Sequence, residues 1–432
     1  MSKIVFIGGG SAKFVREVSV DLFSFPELQD IHMTIMDVDA ERATRSERLV
    51  RKMTADLGIR ATTDSTTDRR RALEGADYVI VTIMVGGLKH YHSDVAIPAK
   101  YGVYQTVSDT IGPGGVFRTV RTAPVLRGIV EDLQAVAPNA WVLNYANPMA
   151  MNCWTFRDCG WSKVIGLCHS IQAAYKGLGD WLGIPHNEIT YTAGGINHIN
   201  FYLRLEHNGK DMYPMLKAIS DKKIAENPML RAPLELLAYL DHYPAEGPIH
   251  QFEYYPWFCK SKDSPAQYGA PTFFGFNVDS KNFQDRTIEI EEQIAGTRPI
   301  NYKRSLEYGS WIIHSLETGS VNEFYGNVPN GGLISNLPPQ AIVEVPCVAR
   351  KAGITPGRVG AIPPQLAAVM APHIAVHEMA VTGTLTKNRR LIRQAIQADP
   401  MTAAVLTLPK ISEMVDEMFE ENSEYVANWP KE

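Results

Sequence analysis

The stretch KIVFIGGGSAKF, Lys3–Phe14, sets the reading of the whole chain. A short β-branched run breaks into three glycines, after which Val15, Val18, Leu22 and Phe23 recur at helical spacing. That succession predicts strand, tight turn and helix. Gly8 permits the turn, and Gly10 lets the backbone approach a pyrophosphate whose charge would sit at the helix N-terminus, on Ser11, Ala12 and Lys13. Lys13 stands where a third glycine is usual, so the fingerprint is incomplete and a plain turn is the alternative.

The downstream context favours the nucleotide reading. HMTIMDVDAER is a second strand ending at Asp37, twenty-seven residues after Gly10. That is a little beyond the usual spacing of about 20 for the acid that binds a ribose 2′-hydroxyl, and such an acid disfavours NADP. DYVIVTIMVGG (Asp77–Gly87) and AWVLNYANP (Ala140–Pro148) supply further strands, with the long amphipathic pattern GGVFRTVRTAPVLRGIVEDLQAVAP between them. This alternation predicts an α/β fold, a Rossmann-like doubly wound parallel sheet. Asn147-Pro148 after the last strand resembles the lactate and malate dehydrogenase superfamily.

At 432 residues the chain exceeds the usual single core of about 250–300 residues, so two closely packed domains are expected. We place them at residues 1–195, binding NAD, and 196–432, an α+β part for substrate, metal and oligomerisation. A net charge of −5 and ordinary globular composition argue against a nucleic-acid surface or a basic membrane face. The expected partners are small molecules and other subunits. The leading apolar run Ile4–Ile7 is too short for a signal peptide, and no stretch nears the roughly 20 apolar residues of a membrane helix. Five cysteines form no CxxC pair, which fits a reducing compartment, so a cytoplasmic location is expected.

Past Pro148 the pattern predicts strands at Lys163–Leu167, Ile189–Ala193 and Ile199–Glu206. His207–Arg304 is weakly periodic and rich in Pro, Tyr and charge, which reads as insertions and substrate-facing loops. Near the C-terminus, LPKISEMVDEMFEENSEY puts Leu408, Ile411, Met414, Val415, Met418 and Phe419 on one helical stripe, packed on its own domain or at a subunit interface. A homodimer or homotetramer is expected. Cys168, in VIGLCHSIQ, and His198, in GGINH, lie just outside strands beside His169 and Asn197. Alone, each reads as packing. Together, a thiolate and an imidazole with positions left open would form a metal site that borrows oxygens from a bound substrate.

At this point the chain resembles glycoside hydrolase family 4, most closely its α-galactosidase branch. The stretches that carry the resemblance include FIGGGSAKFV, YQTVSDTIGPGGVFRTVRT, LNYANPMAMN, GLCHSIQ, GGINHINFYL, EYYPWF and YGNVPNGGLISNLP. The resemblance implies NAD, Mn²⁺ or another divalent metal, and cleavage of α-glycosides by a redox route, an exception to the two-carboxylate rule. In that route C3 of the sugar is oxidised, C2 loses a proton, the aglycone is eliminated, water adds and the hydride returns. Cys168 and His198 would hold the metal. Tyr254 would take the C2 proton, with Tyr255 as its rival, and Asp109 would assist the leaving group, with His169 as the alternative. Asn147 would bind the sugar or the cofactor's surroundings, Asn197 would orient His198 or a hydroxyl, and Arg118 would contact substrate.

Departures from the family bear on specificity. VGGLKHYHSD and YQTVSDT stand where branches acting on 6-phosphosugars carry an arginine and a GQET stretch, so a 6-phosphate pocket is not expected. Lys89, His90 and His92 crowd one loop and could clamp an anionic C6, making a galacturonide, glucuronide or sulfoquinovoside a competing substrate; the alternative is a solvated loop. An NAD-dependent hydroxyacid dehydrogenase and a catalytically silent NAD-binding protein are the readings of other classes.

Overall fold

The computed structural model describes residues 1–269 and 280–431. Its strands are β1 (Lys3–Ile7), β2 (His32–Met36), β3 (Thr62–Thr66), β4 (Tyr78–Val81), β5 (Trp141–Asn144), β6 (Val164–Gly166), β7 (Ile189–Ile196), β8 (Ile199–His207), β9 (Lys210–Asp211), β10 (Asn322–Pro329), β11 (Ile342–Arg350) and β12 (Gly353–Pro356). The first six lie side by side in the order β3-β2-β1-β4-β5-β6, all parallel, the order of a dinucleotide-binding sheet. Their side chains alternate between two cores. Ile4, Phe6, Tyr78, Ile80 and Leu143 pack on one face, whereas Val5, Ile7, Val79, Val81 and Val142 pack on the other. Burial on both faces is why these segments read as unbroken apolar runs. The long helix Gly112–Val136 covers this sheet as the sequence predicts.

The sheet then changes character without ending. β10 joins β6 antiparallel through Asn327 and Gly166, pairs along its length with β11, and β11 meets β7 through Glu344 and Gly195. β8 and β9 complete the path, and β12 pairs with β11. Gly166, Asn327, Glu344 and Gly195 therefore form one transverse row where the parallel sheet meets the antiparallel one. The approach is close: a Cβ on Gly166 would lie 2.6 Å from Cys153 Sγ and Met149 Sδ and 2.9 Å from Asn327 Cβ. The Asn327 amide donates to Glu344 Oε1 at 3.1 Å, and the Asn200 amide donates to the Glu344 carbonyl at 3.2 Å, all of it buried.

Two sequence expectations need correction. The weakly periodic region is largely helical, at Tyr213–Glu226, Arg231–Leu240, Pro248–Tyr254 and Ser280–Ala295, although positions 270–279 lie outside the described residues. Tyr213–Glu226 buries only Leu216, so it shows no stripe, and Pro214 and Pro248 open helices rather than break them. The stripe on Leu408–Glu421 packs within the chain, on Gly87–Lys100 and Arg389–Ala398, but Leu408 at its first turn is 62% exposed.

Gly166→Ala should lower unfolding stability by about 2 kcal/mol through overpacking at the sheet junction, measured by urea denaturation. Wild-type stability in that variant would show that the junction has slack.

Candidate active site and metal centre

The first turn is shaped by contact with β2. The Gly8 and Gly9 N–H groups both donate to the Met36 carbonyl at 2.9 Å, and the Gly10 N–H donates to Asp37 Oδ2 at 2.9 Å. A Cβ on Gly10 would sit 2.5 Å from that carboxylate oxygen, so the position admits no side chain. Asp37 Oδ1 accepts from the Asp39 N–H, so the acid orders both loops at this edge. The helix Ala12–Phe23 starts without a side-chain cap from Ser11, leaving its positive end available to an anion. Lys13 points outward toward Glu17, 3.7 Å away.

Cys168 follows β6, and His198 lies in the two-residue turn between Ile196 and Ile199, with a left-handed φ of 66°. Cys168 Sγ is 3.9 Å from His198 Nε2, and that nitrogen is 3.7 Å from Oε2 of Glu246. Ligand distances of roughly 2.0–2.4 Å put neighbouring ligands about 3–4 Å apart, so the three atoms suit one divalent cation. Glu246 is buried, and among the described residues its Oε2 accepts no hydrogen bond. Burial, with His250 and His169 adding to it, holds His198 well below the usual imidazole range, so it is the neutral form a metal requires. Burial, then Glu246 and Glu344, push the Cys168 thiol up, and burial raises Glu246. Glu344 sits behind this group, pushed up to about 8 by burial and by Glu246. The Asn197 side chain bonds Glu344. The pocket concentrates acidic groups that only a cation would relieve.

A second group adjoins the first. His250 stacks on His198, with ring centroids 3.8 Å apart, and its Nδ1 is 3.2 Å from Glu253 Oε1. Burial pulls His250 down, but the Glu253 hydrogen bond and the carboxylates of Glu246, Glu253 and Asp109 outweigh it, leaving about 9. The Asn147 amide donates to Asp109 Oδ2 at 2.8 Å, and Arg118 Nε donates to the Asn147 carbonyl at 3.2 Å. Tyr254 is buried edge-on to His198 at 5.7 Å between centroids, with its hydroxyl beside Thr110. His373 donates to the Tyr254 carbonyl at 2.8 Å, which fixes the end of the helix Pro248–Tyr254. Burial raises the Tyr254 phenol well above its ordinary range. Tyr255 stacks instead on the exposed Trp257.

The structure thus brings Cys168, His198, Asp109, Asn147, Arg118 and Tyr254 into one neighbourhood. His169 is at the rim, 59% exposed at its side chain and 3.1 Å from Glu307. The loop expected around Lys89 is a helix, Gly87–Lys100, which spreads Lys89, His90 and His92 around its axis. Successive residues on a helix point about 100° apart. Lys89 and His92 consequently face solvent, His90 turns to Glu421 and Glu424, and Tyr91 stacks toward Arg118. Sequence reasoning missed Glu246, His250, Glu253 and Glu344. Only Glu344 left a signal, as a lone acid in the apolar run AIVEVPC.

Comparison with known proteins decides the family. The model of the family 4 glycosyl hydrolases matches residues 3–184, and that of their C-terminal domain matches residues 193–402. The chain belongs to the family 4 glycosyl hydrolases. It is therefore a glycoside hydrolase. This family 4 enzyme is 35% identical to an α-galactosidase of Bacillus subtilis over 99% of its own chain and 100% of the relative. It is 29% identical to an α-galacturonidase of Lachnoclostridium phytofermentans over 100% and 97% of the two chains. A crystal structure from Bacillus subtilis, described as a glucosidase, superposes with a TM-score of 0.88 at 27% identity, covering 97% of this chain and 99% of that one. A 6-phospho-α-glucosidase from gut microorganisms, solved in complex with NAD and Mn²⁺, shares the fold with a TM-score of 0.82 at 18% identity, covering 100% and 99%.

Because the Cys168 thiol of this glycosyl hydrolase holds its proton at neutral pH, a metal that takes the thiolate must expel one proton. Mn²⁺ affinity should therefore rise by at least about tenfold per pH unit near neutrality, with the thiol proton released per ion in calorimetric titration and a further fraction from Glu344, whose carboxyl is pushed up to about 8. Cys168→Ser should bind weakly and lose that proton release; unchanged release would place the metal elsewhere.

Proposed function

We propose that the chain is an NAD⁺- and divalent-metal-dependent α-glycosidase of the galactoside type. The observation that carries this reading is the convergence of Cys168, His198 and Glu246, with Tyr254 edge-on to the imidazole, at the carboxyl edge of the sheet. The α-galactosidase relative, and the solved relative holding NAD and Mn²⁺, support it. When bound, NAD⁺ would take a hydride from C3 of the sugar and return it after water has added, while the cation would polarise the C2 and C3 oxygens.

The remaining steps fall to this chain's own side chains. Gly10 clears the approach of the pyrophosphate, and the uncapped helix at Ser11, Ala12 and Lys13 faces its charge. Tyr254 takes the C2 proton, for which its phenol must be lowered by a neighbouring cation, since burial alone raises it. The electron pair left at C2 becomes the C1–C2 double bond, and the C1–O pair departs with the aglycone, which receives a proton from Asp109. Asn147 holds Asp109 in place, and Arg118 holds Asn147. Glu344 and Asn197 support the metal cluster from behind.

The α-galactosidase relative, matched over nearly the whole chain, favours a sugar that is neutral at C6. Several α-galacturonidase relatives, one of them 31% identical, favour an anionic sugar on the same mechanism. Assembly as a homodimer or homotetramer belongs to this proposal and is read by light scattering.

Enzyme stripped of both cofactors should not cleave an aryl α-galactoside until NAD⁺ and Mn²⁺ are restored, and a chelator should stop it. Undiminished turnover without them rejects the mechanism. In D₂O the product sugar should carry one deuterium at C2. A panel of galactosides, glucosides, galacturonides and sulfoquinovosides tests the sugar, with the neutral galactoside expected fastest. Separately, Gly10→Ala should raise the NAD⁺ concentration for half-maximal rate about tenfold or more, since its methyl collides with Asp37.

A further inference from the structure

The loop that carries Asp109 is built on an improbable backbone. Ser108 adopts a left-handed φ of 63°, a conformation that costs a non-glycine residue about 1–2 kcal/mol and that must be over-determined by its surroundings. Its surroundings can be named. Thr106 Oγ1 donates to the Ile249 carbonyl at 2.8 Å, and Ser108 Oγ donates to the Asp94 carbonyl at 2.8 Å. The N–H groups of Ser108 and Val107 both donate to one oxygen, Glu253 Oε2, at 2.8 and 3.2 Å. Glu253 is 1% exposed and therefore reaches no solvent, and its other oxygen engages His250. A buried carboxylate accepting two consecutive N–H groups defines the direction of the peptide between them, and hence where the next residue, Asp109, points. Asp109 Oδ2 is held by Asn147, and among the described residues its Oδ1 has no partner.

The geometry points to Glu253 as the positioning residue for the leaving-group step: through the Val107 and Ser108 N–H groups it aims the free oxygen of Asp109 at the glycosidic oxygen. This rests on the reading of Asp109 as the group that protonates the aglycone. Glu253 is not one of the Cys168, His198 and Glu246 group; its ligand atoms lie with those of Asp109 and His250 in a second, adjoining cluster, and it sits one residue before Tyr254 on the same helix. One short helix therefore sets both the base and, through Glu253, the acid. The length of the side chain, rather than its charge, is what the loop requires.

The test separates proton removal from bond breaking. Glu253→Asp keeps the charge and shortens the reach; Glu253→Gln keeps the reach and an acceptor oxygen and removes the charge. Glu253→Asp is expected to lower kcat/KM about 100-fold on a methyl α-galactoside, whose leaving group needs a proton, and less than about threefold on the 4-nitrophenyl galactoside, whose leaving group does not. In D₂O, unreacted methyl galactoside recovered from Glu253→Asp should acquire deuterium at C2, because deprotonation continues while departure stalls. Glu253→Gln should lose less than Glu253→Asp on the methyl galactoside, and its loss, which comes through the altered contact with His250, should be equal on the two substrates. Equal loss on the two substrates in Glu253→Asp, no loss at all, or a Glu253→Gln defect matching that of Glu253→Asp would overturn the proposal. Should Glu253→Asp not fold, Ser108→Gly relaxes the same loop and carries the same test. There about tenfold loss confined to the methyl galactoside is expected, and loss shared by both substrates overturns it. Absence of C2 deuterium in the wild-type product would instead reject the elimination route, whatever Glu253 does.

Discussion

Gly166, Asn327, Glu344 and Gly195 stand in one row across four strands, and the metal ligands are measured from the two ends of that row. Cys168 is two residues past Gly166, and His198 is three past Gly195. At about 4.8 Å per strand the row spans about 14 Å, yet Cys168 Sγ and His198 Nε2 lie 3.9 Å apart. The convergence comes from the chain leaving β6 and from the turn after β7, where His198 holds a left-handed conformation that tips its ring back over the sheet. A one-residue slip in the β10–β11 ladder would turn one of Asn327 and Glu344 to the opposite face and break their hydrogen bond behind the ligands. Register at a junction of single-residue bridges is thus the condition on which the site exists.

That junction also explains why a carboxyl group sits in the middle of an apolar strand. Glu344 accepts from Asn327, and Asn200 holds its carbonyl, so its oxygens and backbone are occupied by amides instead of water. A buried acid satisfied in this way costs little while it keeps its proton and costs more once ionised beside Glu246. A divalent cation at Cys168, His198 and Glu246 reverses the balance, because each nearby negative charge then meets a positive one. The acids whose charges repel one another across this cluster become its supporting shell when a metal is held.

Much of this was legible in the sequence, for identifiable reasons. The turn at Gly8–Gly10, the acid at Asp37 and the alternating strands are local patterns, and the parallel sheet follows from them. Cys168 and His198 were visible because each follows an apolar strand and stands beside a polar neighbour. Glu246, His250 and Glu253 were not, since they lie in YPAEGPIHQFEYY, where prolines and aromatic residues hide a helix of about two turns. His250 and Glu253 are three apart and share a face, but that signal appears only once the helix is known. Lys89, His90 and His92 failed in the opposite way. Clustered in sequence, they are distributed around a helix that sends only Tyr91 toward Arg118.

The two halves of the sheet divide the chemistry in a manner that follows from their backbones. Parallel strands present their carboxyl ends together, so loops after β1, β5 and β6 converge at one edge and suit a ligand as long as a dinucleotide. An antiparallel hairpin does something the parallel sheet cannot: it returns within two residues, and so places one side chain, His198, at a fixed height above a neighbouring strand. The two kinds of loop meet at the seam, where Gly166 admits β10 because no side chain stands between them. Cys168 from the parallel half and His198 from the hairpin therefore come together through the same backbone contact that joins the two sheets, and neither half alone holds the pair.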